Sequence, residues 1–333
     1  MGTQTALRGS VLTVTRRFAA GIDISEQAVR LAVVSKRLQA NRPVCVERLE
    51  EVLLPKGAVI GGDFIERGVV AAALREAFSR LPTRGALRSL RCAMALPASA
   101  TLTTRVPLAR LADADQMPVS AWGRDPRGLL EPAVLAEAER VAGIERGALA
   151  VDWSIEARED GCAEVSIAAT GRQYVESRVE MAAAADIVLS AIDGEPGAAL
   201  RALRYSAAME IDPEERFIAC WVESAGLHAW VVGEDGVENE LRYPSPEYSS
   251  AIEALSDLVG DGPRVHWIYI GGDIELLDRA GVSTQMLALS FGCPVMPFEC
   301  APFCNGAQRV DERLAQSPLF AVALGLALRE VMP

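Results

Sequence analysis

Phe18-Ala19-Ala20-Gly21-Ile22-Asp23-Ile24, Ser25-Glu26-Gln27, then Val29-Arg30-Leu31-Ala32-Val33-Val34 is the stretch that decides the fold. Two apolar runs of strand length flank a polar gap short enough for a tight turn, which predicts an antiparallel hairpin. A third run, Val44 to Leu54, follows a polar turn at Arg37 to Arg42 and extends the hairpin to a three-stranded meander. Gly61-Gly62-Asp63 then breaks the chain, and Val69, Val70, Leu74 and Phe78 recur at helical spacing. Leu87 to Leu96 reads as a strand stopped by Pro97. The opening is therefore β-β-β-α-β, which is not the βαβ start of a dinucleotide-binding fold.

Residues 97–132, with Pro107, Pro118, Pro126 and Pro132, read as irregular. Helices are expected at Ala133 to Ala142, Tyr174 to Ala184 and Gly197 to Ala207. Strands are expected at Ala148 to Ala157, Glu164 to Thr170 and Ile187 to Ile192, the first two paired across an Asp160-Gly161 turn. The opening order then recurs. Phe217 to Val222, the turn Ser224-Ala225-Gly226, His228 to Val232 and Glu238 to Arg242 form a second meander. A helix at Tyr248 to Leu258, a strand at Trp267 to Ile270 ending on Gly271-Gly272, and a helix at Ile274 to Ala280 follow. Pro294-Val295 begins a last short strand, and Leu314 to Val331 reads as one long apolar helix. Two halves with one order of elements imply an internal duplication, in which a ligand would sit between the halves.

Composition narrows the function. The chain has 333 residues, half of them apolar, enough for two domains or one two-lobed fold. A net charge of −12 and a pI near 4.9 oppose nucleic-acid binding, which needs cations to displace phosphate counterions. Seven cysteines are scattered: Cys45, Cys92, Cys162 and Cys220 lie in apolar runs and read as buried thiols. Cys293, Cys300 and Cys304 cluster without a CxxC pair, and His228 and His266 are the sole histidines, so a structural zinc site is not expected. No run is long enough to span a bilayer, and Arg16-Arg17 follow the N-terminal apolar patch where a signal peptide needs its charges first. Residues 1–17 are expected to be a disordered tail, and the protein to stay in the cytoplasm and reach a membrane through a partner, without inserting. There is no GxxxxGK[ST], GxSxG or HExxH, so no other catalytic constellation competes.

At this point the residues resemble the PilM family of type IV pilus biogenesis, as a divergent member. Gly21-Ile22-Asp23-Ile24-Ser25 with Val29-Arg30-Leu31 is similar to that family's opening phosphate motif, Gly-(Leu/Ile)-Asp-Ile-Gly, a serine-rich turn and an apolar-basic-apolar strand. Leu54-Pro55-Lys56-Gly57-Ala58, Ala95-Leu96-Pro97, Val151-Asp152-Trp153, Ile192-Asp193-Gly194-Glu195 and Ala323 to Arg329 match further landmarks in order, so the resemblance spans about 19–330. It implies an α/β, actin-like fold: a duplicated ribonuclease H-like core in two lobes. The first half would be 18–190 with a subdomain inserted at about 97–165. The second would be 191–333, with a reduced subdomain and a C-terminal helix at 314–331.

The resemblance also implies inherited nucleotide positions: Asp23, which would hold magnesium if a nucleotide binds, with Ser25, Glu223, Gly271 and Gly272. Backbone N–H groups in such turns aim at phosphate oxygens, and glycine lets them approach. The departures oppose that chemistry. The family glycine is Ser25, Glu26 carries a negative charge to the turn, and the second hairpin's Asp-Ile-Gly has become Trp221-Val222-Glu223. Gly271-Gly272-Asp273 resembles an adenosine turn, or a plain strand-to-helix turn with Asp273 near a helix N-cap. Between Val232 and Trp267 the family has a full closing subdomain; here one short strand and one helix fit. The expectation is a non-enzymatic scaffold at the cytoplasmic face of the inner membrane. It would dock the N-terminal tail of a PilN-like protein and reach PilO, PilP and the pilus motor indirectly. The groove would lie between the core of the first half and the insertion. No cofactor is expected; the alternative is an ATP- and magnesium-binding switch or weak ATPase.

Overall fold

The structure, a computed structural model, describes residues 16–37, 43–81, 90–111, 127–157, 163–304 and 310–332. Strand β1 (Arg16–Ile24) pairs antiparallel with β2 (Ala28–Arg37), and β2 with β3 (Cys45–Leu53). Arg16 and Arg17 face Arg37 and Lys36 in this ladder, so the strand starts two residues earlier than expected. The rest of the expected tail, residues 1–15, lies outside the described residues.

A two-residue hairpin, β4 (Val59–Ile60) and β5 (Asp63–Phe64), precedes α1 (Arg67–Ser79). Strand β6 (Arg91–Leu96) then runs parallel to β1. The chain next leaves the sheet through β7 (Leu102–Pro107), α2 (Leu108–Leu111), α3 (Arg127–Ala142), β8 (Leu149–Ala157) and β9 (Ala163–Gly171). It returns through α4 (Arg172–Ala184) to β10 (Leu189–Gly194), parallel to β6.

The second half repeats the plan. After α5 (Glu195–Glu210), β11 (Phe217–Glu223), β12 (Gly226–Gly233) and β13 (Gly236–Pro244) form the meander, and α6 (Ala251–Val259) follows a 3₁₀ turn. Strand β14 (Trp267–Gly272), helices α7 (Glu275–Arg279) and α8 (Thr284–Phe291), and β15 (Val295–Pro297) complete the second sheet. Short α9 (Glu312–Ala315) and α10 (Ala321–Val331) end the described chain. The two five-stranded sheets run β10-β6-β1-β2-β3 and β13-β12-β11-β14-β15, the same order of meander and parallel strands twice over. That is the duplicated actin-like plan.

Layering follows from which faces are apolar. The outer face of the first sheet packs on α1 and α4 through Ile22, Leu31, Leu74, Met94 and Met181, and that of the second on α6 to α8 through Ile218, Leu255, Ile268 and Leu287. The inner faces of both sheets share one core with α5 and α10, built on Leu203, Phe217, Tyr269, Phe298, Phe320 and Leu324. The insertion has its own small core, with Leu130, Val134, Val165 and Ile167.

Five expectations change here. The separate sheet β7-β9-β8 occupies 102–171 rather than 97–165, because β9 continues its ladder with β8 to Gly171. Helix α3 starts before Pro132, and β7 and α2 order part of the stretch read as irregular; 112–126 and the Asp160-Gly161 turn lie outside the described residues. The single C-terminal helix is broken into α9, a 3₁₀ turn and α10, since Pro318 lacks the N–H to continue a helix and disfavours helical Ser317 before it. Strand β10 straddles the expected boundary at 190 and belongs to the first sheet, and α10 packs back on that sheet. Cys293 and Cys300 sit in different cores, Cys45 is only partly buried, and among the described residues no three His, Cys, Asp or Glu side chains converge on a metal position.

Candidate functional site

The cleft between the halves is formed where the two meanders meet. The turn after β1 brings Asp23, Ser25 and Glu26. The turn after β11 brings Trp221 and Glu223, Gly272 and Asp273 come from the end of β14, and the first turn of α5 brings Glu195. Gly61, Gly62 and Pro97 close the side facing the insertion. The cavity is about 150 Å³, against roughly 300–1,000 Å³ for ordinary ligand pockets.

Asp23 faces Arg30 across β1 and β2, one pair before that ladder ends, and Trp221 faces His228 across β11 and β12, two pairs before its end. Trp221 and Glu223 both reach the cleft from β11. Trp221 is buried, with its ring 5.4 Å from that of His228. Of the residues expected at the site, Asp23, Ser25, Glu223 and Gly272 line one cavity. Gly271 does not, because successive strand residues face opposite ways. A Cβ on Gly271 would meet Ala321, Leu203 and Phe298 on the core side, whereas one on Gly272, at φ +87°, would collide with the Val222 carbonyl at 2.1 Å. Gly272 serves the turn and Gly271 the packing.

Several donors beside the cleft are taken up by the protein itself. Ser25 Oγ accepts from the amides of Gln27 (3.3 Å) and Ala28 (3.2 Å) and from Arg30 Nη1 (3.2 Å), closing its own turn. The Gly61 amide donates to Glu26 Oε1 at 2.9 Å, and the Ala98 amide to Glu195 Oε2 at 2.9 Å. Arg30 gives its Nε–H to Glu51 (2.9 Å) and stands 3.8 Å from Asp23. Glu195 appeared in the sequence only as part of an Asp-x-Glu landmark; an acid opening a helix straight after a strand was the legible signal, and its meeting with Asp23 was not.

Three carboxylates from three elements thus act on one another. Lost hydration pushes Asp23 up to about 6, Arg30 opposing and Glu223 adding to the rise. Glu195 lies well above the usual carboxylate range, first through burial, then through Asp23 and Glu223. A carboxyl whose folded pKa is raised holds its proton more tightly in the folded state, so its contribution is greatest below the ordinary aspartate value and is lost as pH rises through about 6. Asp23→Asn should therefore leave stability unchanged near pH 4, stabilise increasingly up to about pH 6 and hold a constant gain above it. Paired urea titrations of the variant and parent across pH 4–8 check this; a gain that shrinks with pH would refute the electrostatic reading.

Fitted against a magnesium nucleotide, the lining does not match: the Gln27, Ala28 and Gly61 amides already donate within the protein, and five acidic side chains (Asp23, Glu26, Glu195, Glu223, Asp273) line the cleft.

A family model described as type IV pilus assembly protein PilM matches residues 21–224, more than half of the chain. No curated protein matches the sequence. Among solved structures, a PilM-PilN type IV pilus biogenesis complex is similar over 95% of this chain and 99% of that one, at 21% identity and a TM-score of 0.68. The cytoplasmic domain of EpsL, an inner-membrane component of the type II secretion system of Vibrio cholerae, matches 80% of this chain and 94% of its own. Its identity is 12% and its TM-score 0.43. MreB 5 of Spiroplasma citri bound to AMPPNP matches 93% and 94%, at 9% and 0.40.

Proposed function

This chain belongs to the family of the type IV pilus assembly protein PilM and so has a part in pilus assembly; we propose that the part is that of a docking scaffold, not of an ATP-driven enzyme. The observation that carries this is the cleft, small and lined by carboxylates where the actin-like plan would seat a nucleotide. The partner in this reading is the N-terminal tail of a PilN-like inner-membrane protein, by analogy with the PilM-PilN complex that shares the fold. Through that tail the scaffold would sit at the cytoplasmic face of the inner membrane and reach PilO, PilP and the motor indirectly. Among the described residues no helix is long and apolar enough to cross a membrane.

In this reading the tail lies extended between the core of the first half and the insertion, where it would add backbone hydrogen bonds and seat a few apolar side chains. Phe64 of β5 lies under the Arg178 guanidinium of α4, Arg67 at the start of α1 pairs with Glu180 of α4, and Ile60, Ile65 and Val179 are exposed. The second reading, an ATP-binding switch, is favoured by Asp23 and Gly272 facing one inter-lobe cavity.

Calorimetric titration separates the two. A peptide copying the N-terminal tail of the PilN-like protein encoded beside this chain should bind, and Mg-ATP should not. In cells, Asp23→Ala should leave piliation intact. Micromolar Mg-ATP binding, or lost piliation in a folded, abundant Asp23→Ala protein, would overturn the scaffold reading in favour of the switch.

A further inference from the structure

The end of the first sheet at which β1 begins carries charge against the trend of the chain. Arg16 faces Arg37 there, and Arg17 faces Lys36. Like charges set directly opposite each other destabilise a ladder, yet two successive pairs do so here, in a protein of net charge −12. One strand further, Arg91 opens β6 beside Ala19. Arg16 is held by Glu47 at 3.2 Å. Arg17, Lys36, Arg37 and Arg91 make no ion pair among the described residues.

A second observation is independent of charge. Phe18, 44% exposed, follows Arg17 and faces Ser35 of β2. Val188, 84% exposed, immediately precedes β10, and because Leu189 pairs with Cys92 it is level with Arg91. Strands β10, β6, β1 and β2 are neighbours in the sheet, at about 4.8 Å per strand, so the row from Val188 to Lys36 spans roughly 15 Å. Cations interleaved with exposed apolar side chains at one level suit a lipid interface: headgroup phosphates accept from guanidinium and ammonium N–H groups, and the apolar side chains leave water at the headgroup boundary. A soluble polyanion would use the cations and leave Phe18 and Val188 wet.

We propose that this end of the first sheet is a contact surface for an anionic phospholipid bilayer. Phosphate oxygens accept from Arg17, Lys36, Arg37 and Arg91, and Phe18 reaches headgroup depth with no segment crossing the bilayer. The negative charge of the rest of the chain is repelled by the same surface, which confines contact to this end and orients the molecule. Asp23, near the far end of β1, and Pro97, just past the far end of β6, line the cleft, so the cleft stays free. Direct lipid contact adds to the tethering by a partner's tail and does not depend on it.

The test uses the full chain alone, floated with vesicles of phosphatidylcholine containing increasing phosphatidylglycerol. The bound fraction should rise with phosphatidylglycerol, fall with added salt and vanish on phosphatidylcholine alone. Arg17→Gln/Lys36→Gln/Arg37→Gln should bind at least about tenfold more weakly. It also removes the facing like charges, so it should melt no lower than the parent, which separates lost binding from lost folding. Arg75→Gln/Arg105→Gln/Arg242→Gln removes the same charge from exposed positions on α1, β7 and β13 and should bind like the parent. Phe18→Ser, at unchanged charge, should weaken binding severalfold. Absence of vesicle binding, or equal loss in the two triple variants, would overturn the inference. So would binding to polyglutamate or RNA that matches vesicle binding while Phe18→Ser changes nothing, which would identify a soluble polyanion as the occupant. The scaffold reading is tested separately by the tail peptide, so it can stand where this inference fails.

Discussion

Gly325→Val should yield no cooperatively folded protein. Helix α10 lies in the central layer with nearly every residue buried, including Val322, Leu324, Leu326 and Leu328. A Cβ at Gly325 would stand 1.8 Å from the Ala198 carbonyl oxygen of α5 and 2.5 Å from its carbon, which is backbone and has no rotamer to move. The helix has no room to retreat. On its other side, Gly21 of β1 is itself pressed against the Ala323 oxygen, where a Cβ would come within 1.9 Å. Overpacking a core costs about 1–3 kcal/mol when side chains can adjust; a wedge between two backbones with both flanks closed exceeds that. It threatens most of the roughly 5–15 kcal/mol that holds a domain folded. Soluble yield and a circular-dichroism melt measure the effect. Gly68→Ala is the control: it sits in α1 with open space around its Cβ and should stabilise by up to about 1 kcal/mol. A Gly325→Val protein melting within a few degrees of the parent would show that the central layer is looser than described.

Arg178→Met should cost about 3–5 kcal/mol, because it removes a buried guanidinium that joins three elements. The side chain, 2% exposed, is stacked over Phe64 at 4.6 Å and lies 5.8 Å from Tyr174. It donates to the carbonyl of Gly62 (2.7 Å), the carbonyl of Ala95 (3.3 Å) and Ser177 Oγ (3.1 Å). Burial lowers its pKa to about 10, with Glu195 and Asp63 opposing, so it remains charged at neutral pH. Methionine fills part of the volume and leaves both carbonyls without their donor. Lysine should rescue little, since one ammonium cannot reproduce the planar fork between two rings. Urea unfolding gives the number, and a cost below about 1 kcal/mol would mean that water replaces the guanidinium. Gly62 and Pro97 edge the cleft, so the same variant should also weaken any ligand held there.

Much of this was readable in the residues alone. Continuous apolar runs around Asp23 and around Trp221 identified both meanders, because a strand buried on both faces is apolar throughout and a tight turn must be polar or small. The repeat of that order identified the duplicated fold, and Ser25, Glu26, Trp221 and Glu223 are the departures on which the expectation of a degenerate phosphate site rests. These are local properties, in which neighbours along the chain impose the conformation. What only the tertiary structure decided lies between segments distant in sequence. Glu195 joins Asp23 and Glu223 because three strand and helix ends converge. Gly271 and Gly272, adjacent in sequence, part company across the sheet. The C-terminal apolar run looked continuous until Pro318 divided it, and its last part returned to β1, where Gly21 and Gly325 admit it. Periodicity shows that a face must be buried; the partner that buries it is set by packing over the whole chain, which no local window of sequence contains.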